Sequence, residues 1–155
     1  MLFLLFQLGK DRYALTATQV VEVLPLVQLK QIPQAPRCVA GVFNYHGSPV
    51  PLIDLTELAL ERPSQTKMST RIILTHYVDE IGNKHLIGLL AERVMETVQK
   101  AERDFVTSGV SPTEAPYLGA VLTDNAGILQ RIEIGALLPE SLRRQLFCDL
   151  GEPVP

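Results

Sequence analysis

Three histidines (His46, His76 and His85), two cysteines (Cys38 and Cys148) and scattered serines and carboxylates are the side chains of this chain able to do chemistry. A metal ion needs three or four such ligands converging on one point. His76 and His85 fall on the two arms of one expected hairpin and could face each other, but no third ligand accompanies them, so they read as strand histidines. Cys38 and Cys148 lack C-x-x-C or metal spacing; the expectation is two reduced thiols in a cytoplasmic protein, with a single disulfide as the alternative. Ser48, Ser108 and Ser111 lack the G-x-S-x-G elbow, and there is neither a G-x-x-x-x-G-K-[ST] loop nor a G-x-G-x-x-G turn. Asp79 with Glu80, and Asp149 with Glu152, sit in polar turns or the tail, where solvated carboxylates are ordinary. The residues therefore predict no catalytic, metal or cofactor site, and a protein that binds neither ATP nor stoichiometric zinc.

The elements that would have to position any site are short strands. LFLLFQL, the turn-like GKDR and then YAL predict a hairpin whose first strand is buried on both faces. MLFLLFQLG has no basic leader region, too short an apolar run and no small-residue cleavage site, so it reads as a strand and not a signal peptide. Thr16 and Gln19 fit a capping box opening a short helical turn. VVEVL, β-branched and closed by Pro25, returns to extended chain. LVQLKQI alternates like a half-buried strand, with Leu26, Val27, Leu29 and Ile32 inside. Val39 to Tyr45 and Val50 to Leu55 read as two strands joined at Gly47 and Ser48.

Pro49 and Pro51 puncture the second of these strands. Two residues apart, they place their missing donors on one side and leave the other side able to pair, as in an edge or bulged strand. Asp54 with Glu57 predicts a capped helical piece over TELAL, followed by ERPSQTKMS, the best linker in the chain. RIILTHYV and KHLIGLLA form a further hairpin across DEIGN; RVMETV, PYLGAVL and GILQRI complete a second strand-rich half. Leu138, Leu142 and Leu146 recur at helical spacing, with Pro139 able to open a docked C-terminal helix as its first residue.

The totals agree with a folded β protein. The 155 residues fit one ordinary domain, or two small sub-domains sharing a core, with 46% hydrophobic and 20% charged residues. A net charge of −3, scattered basic residues, 6% aromatics and no Trp make nucleic acid a poor partner. No apolar segment approaches the roughly 20 residues of a bilayer span, so no membrane insertion is expected.

FLLFQLGKDRYAL, VVEVL, PQAPRCVAGVFNYHGSPVPLIDL, HLIGLLAERVMETV, PYLGAVL and GILQRIEIGALL resemble, in order and spacing, the blocks of the CheW family of chemotaxis coupling proteins. The combined pattern V-x-E-V … P … G-V-x-N-x-x-G-x-x-(V/I)-P-(L/I)-(I/V)-D-L is far more specific than any of its pieces. The resemblance implies an all-β fold: two SH3-like five-stranded β-barrels sharing an apolar seam, with short helices and a C-terminal helix. It implies one CheW-like domain over 1–155, its two intertwined sub-domains changing over near 61–70. It also implies a non-catalytic adaptor coupling the cytoplasmic tips of methyl-accepting chemotaxis receptors to the regulatory domain of a CheA-type histidine kinase, cytoplasmic and recruited to receptor arrays.

By the same resemblance, Val20 and Glu22 match a contact segment in which a valine supplies burial and an acid supplies register; plain core is the competing reading for Val20. Gly41 would admit a close-approaching receptor helix, or serve as a turn glycine. Asn44, Tyr45 and His46 complete the partner-binding set, with Asn44 also able to shape the turn. The family reads N-L-R-G where this chain has Asn44-Tyr45-His46-Gly47, so a forked, permanent charge is replaced by a smaller, near-neutral ring. That departure suggests a non-standard receptor and kinase pair, and the FNY wording resembles the Wsp-type branch most. The rival functions are a small-ligand-binding or enzymatic β-barrel and a self-assembling structural β module.

Overall fold

The computed structural model describes residues 1–79, 81–107, 115–144 and 146. Glu80, Ser108, Ser111, Cys148, Asp149 and Glu152 lie outside the described residues. Among the described residues ten strands run in chain order: β1 (Leu2–Leu8), β2 (Asp11–Thr16), β3 (Val20–Pro25), β4 (Val39–Tyr45), β5 (Ser48–Asp54), β6 (Arg71–Val78), β7 (Lys84–Ala91), β8 (Arg93–Gln99), β9 (Leu118–Asp124) and β10 (Gly127–Ile132). Helix α1 (Leu55–Leu60) and the single turn α2 (Glu140–Arg143) are short.

The strands form two five-stranded sheets of order β8-β1-β2-β10-β9 and β3-β6-β7-β5-β4. Both are built alike. A central hairpin, β1–β2 or β6–β7, takes a single strand on one side and a second hairpin on the other, joined by one parallel pairing, β2 with β10 or β7 with β5. The parts are exchanged along the chain: β3 and β4–β5 follow the first central hairpin but complete the second sheet, and β8 and β9–β10 complete the first. The chain thus leaves the first sheet after Thr16 and re-enters it at Arg93. The expected change-over near 61–70 is corrected accordingly, because the strands flanking that segment, β5 and β6, belong to the same sheet.

Three apolar clusters hold this arrangement. Phe3, Leu5, Ala14, Phe105, Leu122 and Leu129 fill the first sheet's interior, and Phe43, Val50, Leu52, Ile72, Leu74 and Leu90 fill the second's. In the second, Gly88 leaves room for the Phe43 ring, whose Cε1 lies 2.7 Å from where a Cβ would stand. The largest cluster is the seam between the sheets, where Phe6, Leu15, Ile53, Ile73, Tyr77 and Leu89 meet. β1 serves both sides: Phe3 and Leu5 point into the first interior, Leu4 and Phe6 into the seam. That explains its unbroken apolar run, since alternate residues of a strand face opposite sides and here both sides are covered. Leu138, Leu142 and Leu146 dock on the seam as their spacing predicts, with Pro139 at the cap position of α2, one residue before its first turn.

Several local expectations change. Thr16 precedes a 3-10 turn, Ala17–Gln19, but makes no capping bond; its hydroxyl instead accepts from the Arg131 guanidinium at 3.1 Å. LVQLKQI is not a half-buried strand: it pairs only through Lys30 with Val42, and Leu26, Val27 and Ile32 are exposed. Pro25 and Pro33 bracket it and deny it a ladder. The turn between β4 and β5 is His46-Gly47, one residue earlier than expected, with φ of 50° and 89° as a type I′ hairpin requires. β5 is no edge strand, since it lies between β7 and β4. Its prolines still follow the expected logic. Pro49 and Pro51 oppose Asn44 and Val42 at positions that do not exchange ladder bonds with β4, and β7 pairs only from Leu52 onward.

The segment 61–70 is pinned rather than loose. Asp54 caps α1 by accepting from the amides of Thr56 and Glu57, and it also accepts from the Ser64 amide at 2.8 Å and the Ser64 hydroxyl at 2.5 Å. Glu92, only 8% exposed between β7 and β8, accepts from the amides of Gly9 and Gln65, each at 2.7 Å, and pairs with both guanidinium nitrogens of Arg62 at 3.0 Å. One carboxylate therefore ties the β1–β2 turn of the first sheet to the segment leading out of α1.

Candidate functional site

β3 and β4 are the two ends of the second sheet, and the residues singled out in the sequence lie on them. Glu22 is exposed on β3, where it interrupts an otherwise apolar run and an unpaired buried carboxylate would be costly. Across the gap between the two strands, the Tyr45 hydroxyl donates to Glu22 Oε2 at 2.9 Å. This bond pushes the Tyr45 phenol up from its ordinary pKa of 10.0, because it favours the protonated form beside a carboxylate. The Tyr45 ring packs against the interior cluster and meets the His46 imidazole edge-on, with centroids 4.4 Å apart. Asn44 Oδ1 accepts from the Gly47 amide at 2.8 Å and so fixes the turn that carries His46 outward. His46 stands exposed at positive φ, a conformation that Asn, Asp and His tolerate better than most side chains.

The structure thus gathers Glu22, Asn44, Tyr45 and His46 at one corner of the sheet. Val20 is half-buried and packs against the seam, so burial accounts for its type. Gly41 is buried, and the space above it is filled from within the chain: a Cβ would stand 2.7 Å from the Lys30 carbonyl oxygen and 3.3 Å from Leu29 Cβ, at a φ of 151°. The close approach expected at Gly41 is made by the chain's own segment 29–30. Along the same segment Val21, Val23, Leu26 and Val27 are each more than a third exposed, and since Glu22 opposes Leu74 while Val23 opposes Ile73, these two side chains leave β3 on opposite faces. The sequence reading placed Leu26 and Val27 inside; the bracketing prolines were the signal that they have no sheet to face.

His76 opposes Leu86 and His85 opposes Tyr77, so the two histidines project from opposite faces, and the expectation that they could face each other is corrected. His85 pairs instead with Asp79, Nε2 to Oδ2 at 2.8 Å, which lowers the Asp79 pKa. Among the described residues no group of three or more His, Cys, Asp and Glu is placed to hold a metal ion. An open groove of about 510 Å³ runs past Arg37, Cys38, Glu57 and Glu61, where burial pushes the Cys38 thiol up and so makes it a weaker nucleophile. No helix among the described residues is long and apolar enough to cross a membrane.

A family model described as the CheW-like domain matches residues 2–141. The chain is 26% identical over 103 residues to the chemotaxis protein CheW of Helicobacter pylori, a match covering 66% of this chain and 59% of that protein. It is 23% identical over 137 residues to the chemotaxis protein CheW of Treponema pallidum, covering 85% and 78%. The chain therefore spans about three fifths of the Helicobacter relative's length. In fold it is similar to the crystal structure of the scaffolding protein TtCheW from Thermoanaerobacter tengcongensis, with a TM-score of 0.77, 22% identity, and coverage of 91% of this chain and 89% of that one.

Proposed function

The chain belongs to the CheW-like family, and we propose that it is a non-catalytic adaptor coupling the cytoplasmic tip of a methyl-accepting chemotaxis receptor to the regulatory domain of a CheA-type histidine kinase. The observation that carries this reading is the family match from residue 2 to residue 141, which takes in both sheets and the corner described above. The adaptor works in the cytoplasm, is recruited to receptor arrays, and acts as one unit, a reading supported by the seam that both sheets share.

The corner suits recognition. The half-buried Tyr45 ring supplies apolar area, and Glu22 and His46 at the same corner supply register and choice. With His46 where the family carries arginine, the chain is tuned to a non-standard receptor and kinase pair, such as a surface-sensing Wsp-type system. An enzymatic or ligand-binding barrel is less well supported, because Phe3 and Leu129 in one interior and Leu52, Ile72 and Leu74 in the other are packed to 0% exposure.

The test is capture of a receptor cytoplasmic tip and of a kinase regulatory domain by the purified protein, with Glu22→Lys alongside. The expected result is binding of both by the wild type and weaker binding by a variant that melts normally. Binding of neither, with self-association instead, would favour the structural module; loss of folding in Glu22→Lys would show a structural acid.

A further inference from the structure

An exposed glutamate ordinarily samples many rotamers and forfeits that freedom on binding. Glu22 is spared much of it. Its Oε2 is held by the Tyr45 hydroxyl, and Tyr45 is itself fixed by packing against the second sheet's interior, by the edge-on His46 ring and by a type I′ turn stitched by Asn44. Among the described residues Glu22 makes no ion pair, so a full negative charge remains at the surface with Oε1 free to accept. A neutral donor already occupies one oxygen, which leaves the charge unneutralised.

We infer that Tyr45 is a positioning residue which presents the Glu22 carboxylate, pre-oriented, to a cationic Lys or Arg side chain of the partner protein. This rests on the adaptor reading above and deepens it. A charge-assisted bond to a fixed acceptor gains more than one to a wandering acceptor, because the ordering has been done in the free protein.

The test measures dissociation constants for the wild type, Glu22→Gln, Tyr45→Phe and the double variant against the cognate kinase regulatory domain and receptor tip, at two salt concentrations, with melting temperatures alongside. Glu22→Gln keeps an acceptor for the phenol and removes the charge; it should weaken one partner by about tenfold and flatten the salt dependence. Tyr45→Phe keeps the ring and removes the donor; it should weaken the same partner by about 3- to 10-fold, and the double variant should bind no worse than Glu22→Gln alone.

If Glu22→Gln weakens binding but Tyr45→Phe binds as wild type, or the two losses multiply in the double variant, the positioning role is overturned and the adaptor site stands. A salt dependence unchanged by Glu22→Gln overturns the cationic partner group. If Tyr45→Phe lowers the melting temperature without touching affinity, the bond is only a latch between strands. Wild-type affinity of Glu22→Gln for both partners would overturn the inference and remove Glu22 from the contact surface altogether.

Discussion

Replacing Glu92 by alanine tests the clamp between the sheets. The carboxylate accepts from two backbone amides, Gly9 and Gln65, each at 2.7 Å, and from both guanidinium nitrogens of Arg62 at 3.0 Å. Alanine removes two charge-assisted bonds to the amides of Gly9 and Gln65, exposed residues whose N–H groups water can reach, at about 0.5 to 1 kcal/mol each, and loses a partly exposed ion pair worth about 0.5 to 1 kcal/mol. The expected loss is about 2 to 3 kcal/mol, a drop of roughly 7 °C in melting temperature for a chain of this size.

Acid supplies an independent arm. Arg62 and the two amides lower the Glu92 pKa from 4.5 to about 2. A folded pKa below the unfolded one means that the unfolded state binds more protons in between, so the clamp's contribution is complete above the unfolded value and fades as pH falls from 4.5 towards 2. The lowering corresponds to about 3 kcal/mol, and solvent reaching Arg62, whose side chain is 39% exposed, trims this to about 2 kcal/mol. Urea unfolding of wild type and Glu92→Ala at neutral pH and at points between pH 5 and 2 measures both arms. The wild type should lose stability faster than the variant across that window, with equal urea slopes. A variant within 1 kcal/mol of wild type at neutral pH, or with the same acid slope, refutes the clamp.

Gly41→Ala sets a Cβ against the Lys30 carbonyl oxygen; a loss of about 2 kcal/mol and faster hydrogen exchange at the Lys30 amide are expected, and unchanged exchange would show that the 29–30 segment is not held there. His46→Arg restores the family's residue at a positive-φ position; it should cost about 0.5 kcal/mol in a thermal melt and improve binding to a generic chemotaxis kinase relative to the cognate one, whereas equal affinities across the four wild-type and variant pairs would show that position 46 does not read the partner.

What the residues revealed in advance was mostly local. The β1–β2 and β6–β7 hairpins, the extended VVEVL and the Asp54 cap each depend on side chains within a few positions of one another, and each is found where the pattern placed it. Segment 26–32 failed that logic because alternation shows which side chains would share a face, not whether a neighbouring strand exists; only Lys30 finds a partner, Val42. Glu92 was invisible for a related reason. It follows an apolar run with nothing nearby to mark it, and its partners Gly9, Arg62 and Gln65 reach it only through the fold. The exposure of Glu22 could be argued from the cost of burying a lone acid, but its bond to Tyr45 joins the two end strands of a sheet and needs the strand order before it can be drawn. At Gly41 the need for a missing side chain was legible; that the chain's own backbone fills the space was not.

The exchanged strands bear on how the chain folds as it is synthesised. β1 and β2 leave the ribosome before β3, β4 and β5, a strand and a hairpin built like those that complete their sheet but destined for the other one. The native neighbours begin only at Arg93. Until then Phe3, Leu5 and Ala14 have no Phe105, Leu122 or Leu129 to bury against, and the nearest lookalike edge is the wrong one. The middle sheet is contiguous from Val20 to Ala91 and closes over shorter sequence separations than the outer sheet, which waits for its far-separated ends. The topology predicts folding ordered from the inside of the sequence outward, and the first hairpin, with its apolar run from Leu2 to Phe6, is the part that a holding chaperone has most reason to cover.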